Sequence, residues 1–294
     1  MNMQMPTRMQ IFAICAATLI PVSLYAQEER ANRATAKLVK ELTQAEPGRT
    51  MWLGVQFKMD DGWHLYWPGR NDTGIAPEFK VTLPDGWTLG KARWSAPQRH
   101  VSAGNIVDYT YDKEMMVLFP LEVPANVAVG EIAEVSMDAS WLVCNDTCIP
   151  EKQALKTQIR VGVVGGSKPV ATQVDSFAKA RAAQPRPISE ATGNLITSIK
   201  DGALLITAPG CTRIEFMPSI ESVPLANASA EGAIDADTLS ADLGEPDAGS
   251  HGVSGIVALY RGGKRETYWL DLSVHDDVRL KDAPEAKPAE ADEK

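Results

Sequence analysis

The chain has 294 residues, 44% apolar and 23% charged, a balance that suits two hydrophobic cores and excludes disorder throughout. Its 29 Lys and Arg against 38 Asp and Glu leave a formal charge of -9, which argues against a broad electrostatic grip on nucleic acid. Only four cysteines occur, without a paired Cys/His cluster, so neither a disulfide-dense miniprotein nor a structural zinc module is expected, and no metal or other cofactor is called for.

Residues 1–26 read as a secretory signal peptide: one positive charge up to Arg8, an apolar run from Ile11 to Leu24, and a small residue, Ala26, at the cut. The run falls short of the ~20 residues that a membrane span needs. Cys15 leaves with it, and no later stretch is apolar enough to cross a bilayer. The mature chain is therefore expected to be exported, soluble and without a transmembrane span, in a compartment where disulfides persist.

From Thr50 the pattern has period two, with Met51, Leu53, Val55, Phe57 and Met59 apolar, as in a half-buried strand. Asp60-Asp61-Gly62 turns the chain into a run where Trp63, Leu65 and Trp67 share one face and His64 and Tyr66 the other. Further strands are expected over Glu78–Leu83, Tyr109–Tyr111 and Met115–Val123, a spacing that indicates an antiparallel sandwich or barrel. Six of the seven tryptophans lie between Trp52 and Trp141, so this half has its own aromatic core.

Gly162, Gly165, Gly166 and Pro169 mark a boundary, and a short helix is expected within Ala171–Ala183 on the spacing of Val174, Phe177 and Ala178. A hairpin follows, Leu195–Lys200 and Ala203–Thr207 around Asp201-Gly202. Another closes the second β region around Gly262-Gly263, with Ile256, Ala258 and Tyr260 alternating before it and Tyr268, Leu270, Leu272 and Val274 after. Between the hairpins, Glu221–Ser250 carries seven acidic residues and no Lys or Arg, which suits solvated loops. The expected architecture is all-β: one sandwich over 35–163, a linker with a short helix over 164–187, a second sandwich over 188–280, and a disordered acidic tail over 281–294.

The chemistry concentrates between Glu131 and Val161, where two alternating strands flank Cys144-Asn145-Asp146-Thr147-Cys148-Ile149-Pro150. Both thiols then sit at a hairpin tip, and the strand register points Cys144 away from the face that buries Trp141 and Val143, which would leave it accessible. A clip closing a ring of about five residues is worth roughly 2 kcal/mol, against ~4.7 for a 100-residue loop. So weak a staple leaves both a structural clip and thiol-disulfide exchange open. Cys211 is expected to be a buried free thiol. His64, His100, Met115 and Met116 with the cysteines offer soft ligands for copper, and Asp146 and Glu151 offer charges that raise a thiol pKa.

Three motifs resemble one family. Trp141-Leu142-Val143-Cys144-Asn145-Asp146-Thr147-Cys148-Ile149-Pro150-Glu151 is similar to the cysteine motif of the N-terminal periplasmic domain of thiol:disulfide interchange protein DsbD, especially its suppressor-of-copper-sensitivity ScsB relatives. The run from Asp61 to Gly74 looks like that family's Gly-Trp-His-x-Tyr-Trp segment, and Trp94-Ser95-Ala96-Pro97 like its Trp-Pro-x-Pro. The likeness spans roughly residues 35 to 163. It implies an immunoglobulin-like sandwich, followed by a second in the ScsB-like branch, with Cys144 and Cys148 cycling between dithiol and disulfide. His64 and Tyr66 would be the aromatic pair lining that site. A cap loop over His100–Tyr109 would bring Tyr109 to it, though Asn105–Tyr109 departs from the family's pattern, and Trp141, Asp146 and Pro150 would flank it.

The resemblance further implies a protein-disulfide reductase-like thiol-disulfide oxidoreductase. It would take electrons from the thioredoxin-like domain of a membrane disulfide reductase and pass them to periplasmic disulfide proteins. Full-length members continue into a multi-span membrane domain and a thioredoxin-like domain, which this sequence lacks, so a detached periplasmic relay is expected. A copper-handling protein and a non-catalytic interaction module are the alternatives.

Overall fold

A computed structural model describes residues 32–273. The expected signal peptide, Cys15, Val274 and the acidic tail lie outside them. The first half runs β1 (Ala34–Lys40), β2 (Thr50–Met59), β3 (His64–Tyr66), β4 (Glu78–Thr82), β5 (Thr88–Leu89), β6 (Gln98–Ser102), β7 (Ile106–Asp112), β8 (Glu114–Glu122), β9 (Ile132–Cys144) and β10 (Cys148–Arg160). They form a four-stranded sheet ordered β1-β2-β8-β5 and a six-stranded sheet ordered β10-β9-β3-β7-β6, with β4 also on β9. The period-two residues of β2 and β9 do what their spacing requires: Leu53, Val55 and Phe57 meet Val135, Met137, Ala139 and Trp141 in one buried cluster between the sheets.

After a turn of 3-10 helix comes α1 (Val174–Ala182). It buries Phe177 and Ala180, not the expected Val174 and Ala178, because the helix docks through one narrow stripe. The segment is more than a connector: Phe177 and Ala180 pack with Val39, Met116 and Leu118 on the outer face of the β1-β2-β8 sheet.

The second half runs β11 (Arg186–Pro187), β12 (Ile196–Lys200), β13 (Ala203–Thr207), β14 (Arg213–Pro218), α2 (Ala228–Glu231), β15 (Ala233–Ile234), β16 (Thr238–Asp242), β17 (Gly252–Arg261) and β18 (Lys264–Ser273). A five-stranded sheet ordered β11-β18-β17-β14-β15 and a three-stranded sheet ordered β12-β13-β16 bury a second cluster. Both anticipated hairpins turn through two residues of positive φ, Asp201 (51°) with Gly202 (77°) and Gly262 (56°) with Gly263 (73°), which matches the twist of the flanking strands. The acidic segment is not simply solvated loop: it supplies β16, and Val223, Leu225, Leu239, Ala241 and Leu243 join the core while the carboxylates stay on the other face.

β17 is buried on both faces, so its alternation told only half of its environment. Val253, Val257 and Leu259 face the second cluster, whereas Ile256 and Ala258, with Met217 of β14, belong to the first. The contact is reinforced by polar groups. Arg70 binds Asp247 through two nitrogens (2.8 and 3.0 Å), donates to the Ser222 carbonyl, and holds the Asp247 carboxyl well below the usual carboxylate range. Arg99 of β6 donates to the carbonyls of Ala228 and Ser229 (2.7 and 3.0 Å), and Arg265 to that of Pro97.

Because Phe177 is 1% exposed beneath α1, Phe177→Ala is expected to cost about 3 kcal/mol of unfolding free energy. A urea titration checks it; an unchanged midpoint would mean that the helix only rests on the sheet.

Candidate functional site at the hairpin tip

β9 and β10 pair over thirteen residues each, and the register ends with Cys148 opposite Cys144. The strands thereby bring the two thiols together at the tip, where they form a disulfide with an S–S distance of 2.02 Å. Asn145–Thr147 closes the tip, with Thr147 donating its N–H to the Asn145 side chain at 3.0 Å. Asp146 is exposed in this connection, and Pro150, also exposed, stands opposite Leu142 on the disulfide's face.

Cys148 is exposed, but Cys144 is only 1% exposed, which corrects the expected accessibility of its thiol. Its side chain does point away from Trp141 and Val143. That second face is not open, because β3 runs beside β9 with His64 directly opposite Cys144, and Tyr66 stands one pleat further along. The expected pair His64 and Tyr66 is thus brought to the disulfide: the Tyr66 hydroxyl lies 3.2 Å from His64 Nε2 and 3.9 Å from Cys148 Sγ.

Two anticipated neighbours are elsewhere. Tyr109 belongs to the opposite face of β7, where it packs edge-on against Trp67 and its hydroxyl is buried without a partner. Register parity decides this: Asp108, Thr110 and Asp112 share the face of His64 and Tyr66, so Tyr109 and Tyr111 must face the core. Trp141 likewise faces inward, edge-on to Phe57, with its indole N–H donating to Glu151. Glu151, considered above as a modulator of the thiols, instead takes the backbone N–H groups of Arg33 and Ala34 and so anchors β1 to the hairpin. The cap-loop segment is a regular hairpin of β6 and β7, placing His100 opposite Asp108 with its ring 6.5 Å from that of His64.

The soft-metal set is not assembled. Met115 lies in the first core and Met116 beneath α1, both on β8 of the other sheet. Among the described residues no group of three or more His, Cys, Asp or Glu could hold a metal ion. Cys211 is a buried free thiol in the second cluster.

Four consecutive residues not marked by any periodicity, Asn71 to Gly74, complete the site together with Asp108. Beyond β3 the edge of β7 is satisfied by side chains in place of a strand: Asn71 accepts from the Tyr109 N–H (2.7 Å) and Asp72 from the Val107 N–H (2.7 Å). The exchange continues with the nearly buried Asp108, which accepts from the Thr73 N–H (3.0 Å) and hydroxyl (2.6 Å). This leaves Thr73 Oγ1 3.5 Å from the Tyr66 hydroxyl. Gly74 comes next because nothing larger fits: a Cβ there would stand 2.1 Å from the Tyr66 ring. The signal that could have found them is the run Asn71-Asp72-Thr73-Gly74, two residues that capture backbone N–H groups, a hydroxyl and a glycine.

Burial pushes the His64 pKa below its ordinary 6.5 and the Tyr66 pKa above its ordinary 10.0; for His64 the Asp112 and Asp108 charges oppose this and His100 adds to it. With the folded value depressed, the unfolded chain binds more protons below pH 6.5. Stability from neutral His64 is therefore present above that pH and lost as pH falls through the folded value. Melts taken from about pH 7 to about pH 5 should show a smaller loss for His64→Gln than for the parent chain. Equal losses would remove this role from His64.

No curated protein sequence matches the chain. The family described as thiol:disulfide interchange protein DsbD, N-terminal, matches residues 35–159. Among solved structures, the N-terminal periplasmic domain of ScsB from Proteus mirabilis aligns with 82% of this chain and 93% of its own, at 15% identity and a TM-score of 0.53, a likeness of fold. The reduced N-terminal domain of DsbD from Neisseria meningitidis aligns with 45% of this chain and 89% of its own, at 20% identity and a TM-score of 0.26. The all-β fold, the cysteine pair and the family match agree, and the chain carries, over residues 35–159, a domain of the DsbD N-terminal type.

Proposed function

We propose that Cys144 and Cys148 form a redox centre that relays reducing equivalents from the thioredoxin-like domain of a membrane disulfide reductase to disulfide proteins in the periplasm. The observation that carries this reading is the asymmetry of the disulfide, one cysteine exposed and the other buried, inside the segment that matches a thiol-disulfide interchange family. A donor thiolate attacks Cys148 Sγ; the S–S bond breaks, and its electron pair leaves on Cys144 Sγ, which takes up a proton. The donor's second thiolate then attacks the donor sulfur of the mixed disulfide, freeing Cys148 as a thiolate and leaving the donor oxidised. Against a substrate disulfide the sequence runs in reverse: Cys148 attacks and Cys144 resolves, so two electrons pass in each half.

The surroundings support these roles. His64 and Tyr66 bracket the pair, so charge arriving on sulfur meets polar groups and not bulk water alone. Asp146, in the connection, disfavours thiolates by its charge and so makes the dithiol more reducing while slowing its attack. The short ring supports exchange over stapling, since it constrains the unfolded chain so little. Among the described residues no helix is long and apolar enough to cross a membrane.

In Cys144→Ser the free Cys148 thiol should attack the disulfide of an oxidised thioredoxin-like partner and form a mixed disulfide, releasing one partner thiol, and in Cys148→Ser that adduct should be lost. Mass spectrometry of the trapped adduct reads both. A parent reduction potential well below about -300 mV would mark an inert bond and end the relay reading.

A further inference from the structure

The Tyr66 hydroxyl has one proton and three polar neighbours: His64 Nε2 at 3.2 Å, Thr73 Oγ1 at 3.5 Å and Cys148 Sγ at 3.9 Å. Thr73 cannot be a donor to it. The single Thr73 hydroxyl proton is committed to the Asp108 carboxylate at 2.6 Å, and the Thr73 N–H, also held by Asp108, fixes the residue's orientation. An ionised carboxylate is acceptor-only, so Asp108 forces Thr73 to offer Tyr66 nothing but lone pairs. Thr73 Oγ1 and the Cys148 sulfur therefore face the same proton from two sides.

We propose that Thr73, oriented by Asp108, is a positioning residue that competes with the Cys148 sulfur for the Tyr66 proton and so sets how acidic that thiol is once the disulfide is reduced. The proposal rests on the redox reading above. In the oxidised chain the sulfur is a poor, neutral acceptor and the proton goes to Thr73, shared with His64 Nε2 in the tautomer that leaves that nitrogen unprotonated. In the reduced chain a Cys148 thiolate is an anionic acceptor, and Tyr66 turns to it at the cost of the bond to Thr73. Thr73 thus holds the thiol less acidic, and the pair more reducing, than Tyr66 alone would make it. The other charged or titratable groups facing this point are His64 on β3, Asp108 and Asp112 on β7, His100 on β6 and Asp146 in the connection, and none of them changes in the Thr73 variants.

The test uses the full chain with Cys211→Ala. In a Cys144→Ser background the Cys148 thiol pKa is read from the pH dependence of iodoacetamide alkylation, and in the two-cysteine chain the reduction potential is read against glutathione. Thr73→Val removes the competing acceptor. It should lower the thiol pKa by about half a unit to one unit, the worth of a neutral hydrogen bond, and shift the potential to more oxidising values. Thr73→Ser keeps the hydroxyl and should restore both.

Thr73→Ala, which must shift the pKa as Thr73→Val does, decides the matter if the valine chain does not fold; Asp108→Asn, which also removes a charge acting on His64 and Tyr66, adds a second reading. Its carboxamide accepts from the Thr73 N–H and donates to Oγ1, which frees the Thr73 proton to point at Tyr66 and should lower the thiol pKa in the same direction. His64 and the charges around it are unaltered in the Thr73 variants, so whichever ring nitrogen carries its proton, their difference reports Thr73. Unshifted pKa and potential in a folded Thr73→Val or Thr73→Ala chain would overturn the proposal. A parent chain that glutathione cannot reduce would overturn the relay reading instead, and the alkylation pKa of Cys148 would still decide this one.

Discussion

The register of the β9–β10 hairpin is the constraint on which the site depends. Thirteen cross-strand pairs fix it, and because side chains alternate with period two, a slip of one residue would turn Met137, Ala139 and Trp141 out of the core. The apolar alternation thus holds the chemistry in place from below: the pairing that buries Trp141 is the pairing that sets Cys148 opposite Cys144. The same logic runs across the sheet, where His64 opposite Cys144 and Asp112 opposite His64 make a row of polar groups on the face the core does not use.

A second constraint works from outside. β6 and β7, which carry His100 and Asp108, are gripped by the second half of the chain through Arg99, while the Ile256 and Ala258 face of β17 closes the first core. The wall of the site is therefore supported by residues more than a hundred positions away. Side chain to backbone exchange between Asn71–Thr73 and β7 adds rigidity where β3 is too short to pair.

Most strands and both two-residue turns were legible, since they rest on local periodicity and on residues that tolerate positive φ. The cysteine motif and the His64/Tyr66 face were legible for the same reason. What escaped has a common cause, the dependence on partners distant in sequence. Nothing in the alternation of Ile256 and Ala258 says that a second core lies across from them. The acidity of 221–250 masked the apolar alternation of Leu239, Ala241 and Leu243. The accessibility expected for Cys144 assumed that the face opposite Trp141 was solvent, which only the placement of β3 could deny. Asp108 and Thr73 meet across 35 positions with no period to announce them. Tyr109 was misplaced although strand parity, applied to β7, would have turned it inward.

The third thiol, Cys211, gives the short ring a further meaning during folding. The three cysteines among the described residues permit three pairings, and only one joins partners separated by four residues. Closing either loop to Cys211 spans more than ten times as many residues, a difference on the order of 2 kcal/mol in loop-closure entropy. The statistics of the unfolded chain therefore select the native partners before any strand has formed, and burial of Cys211 in the second cluster afterwards removes the competitor. A ring too small to stabilise the fold much is, for that reason, large enough in its kinetic advantage to keep the Cys144–Cys148 pair from being scrambled.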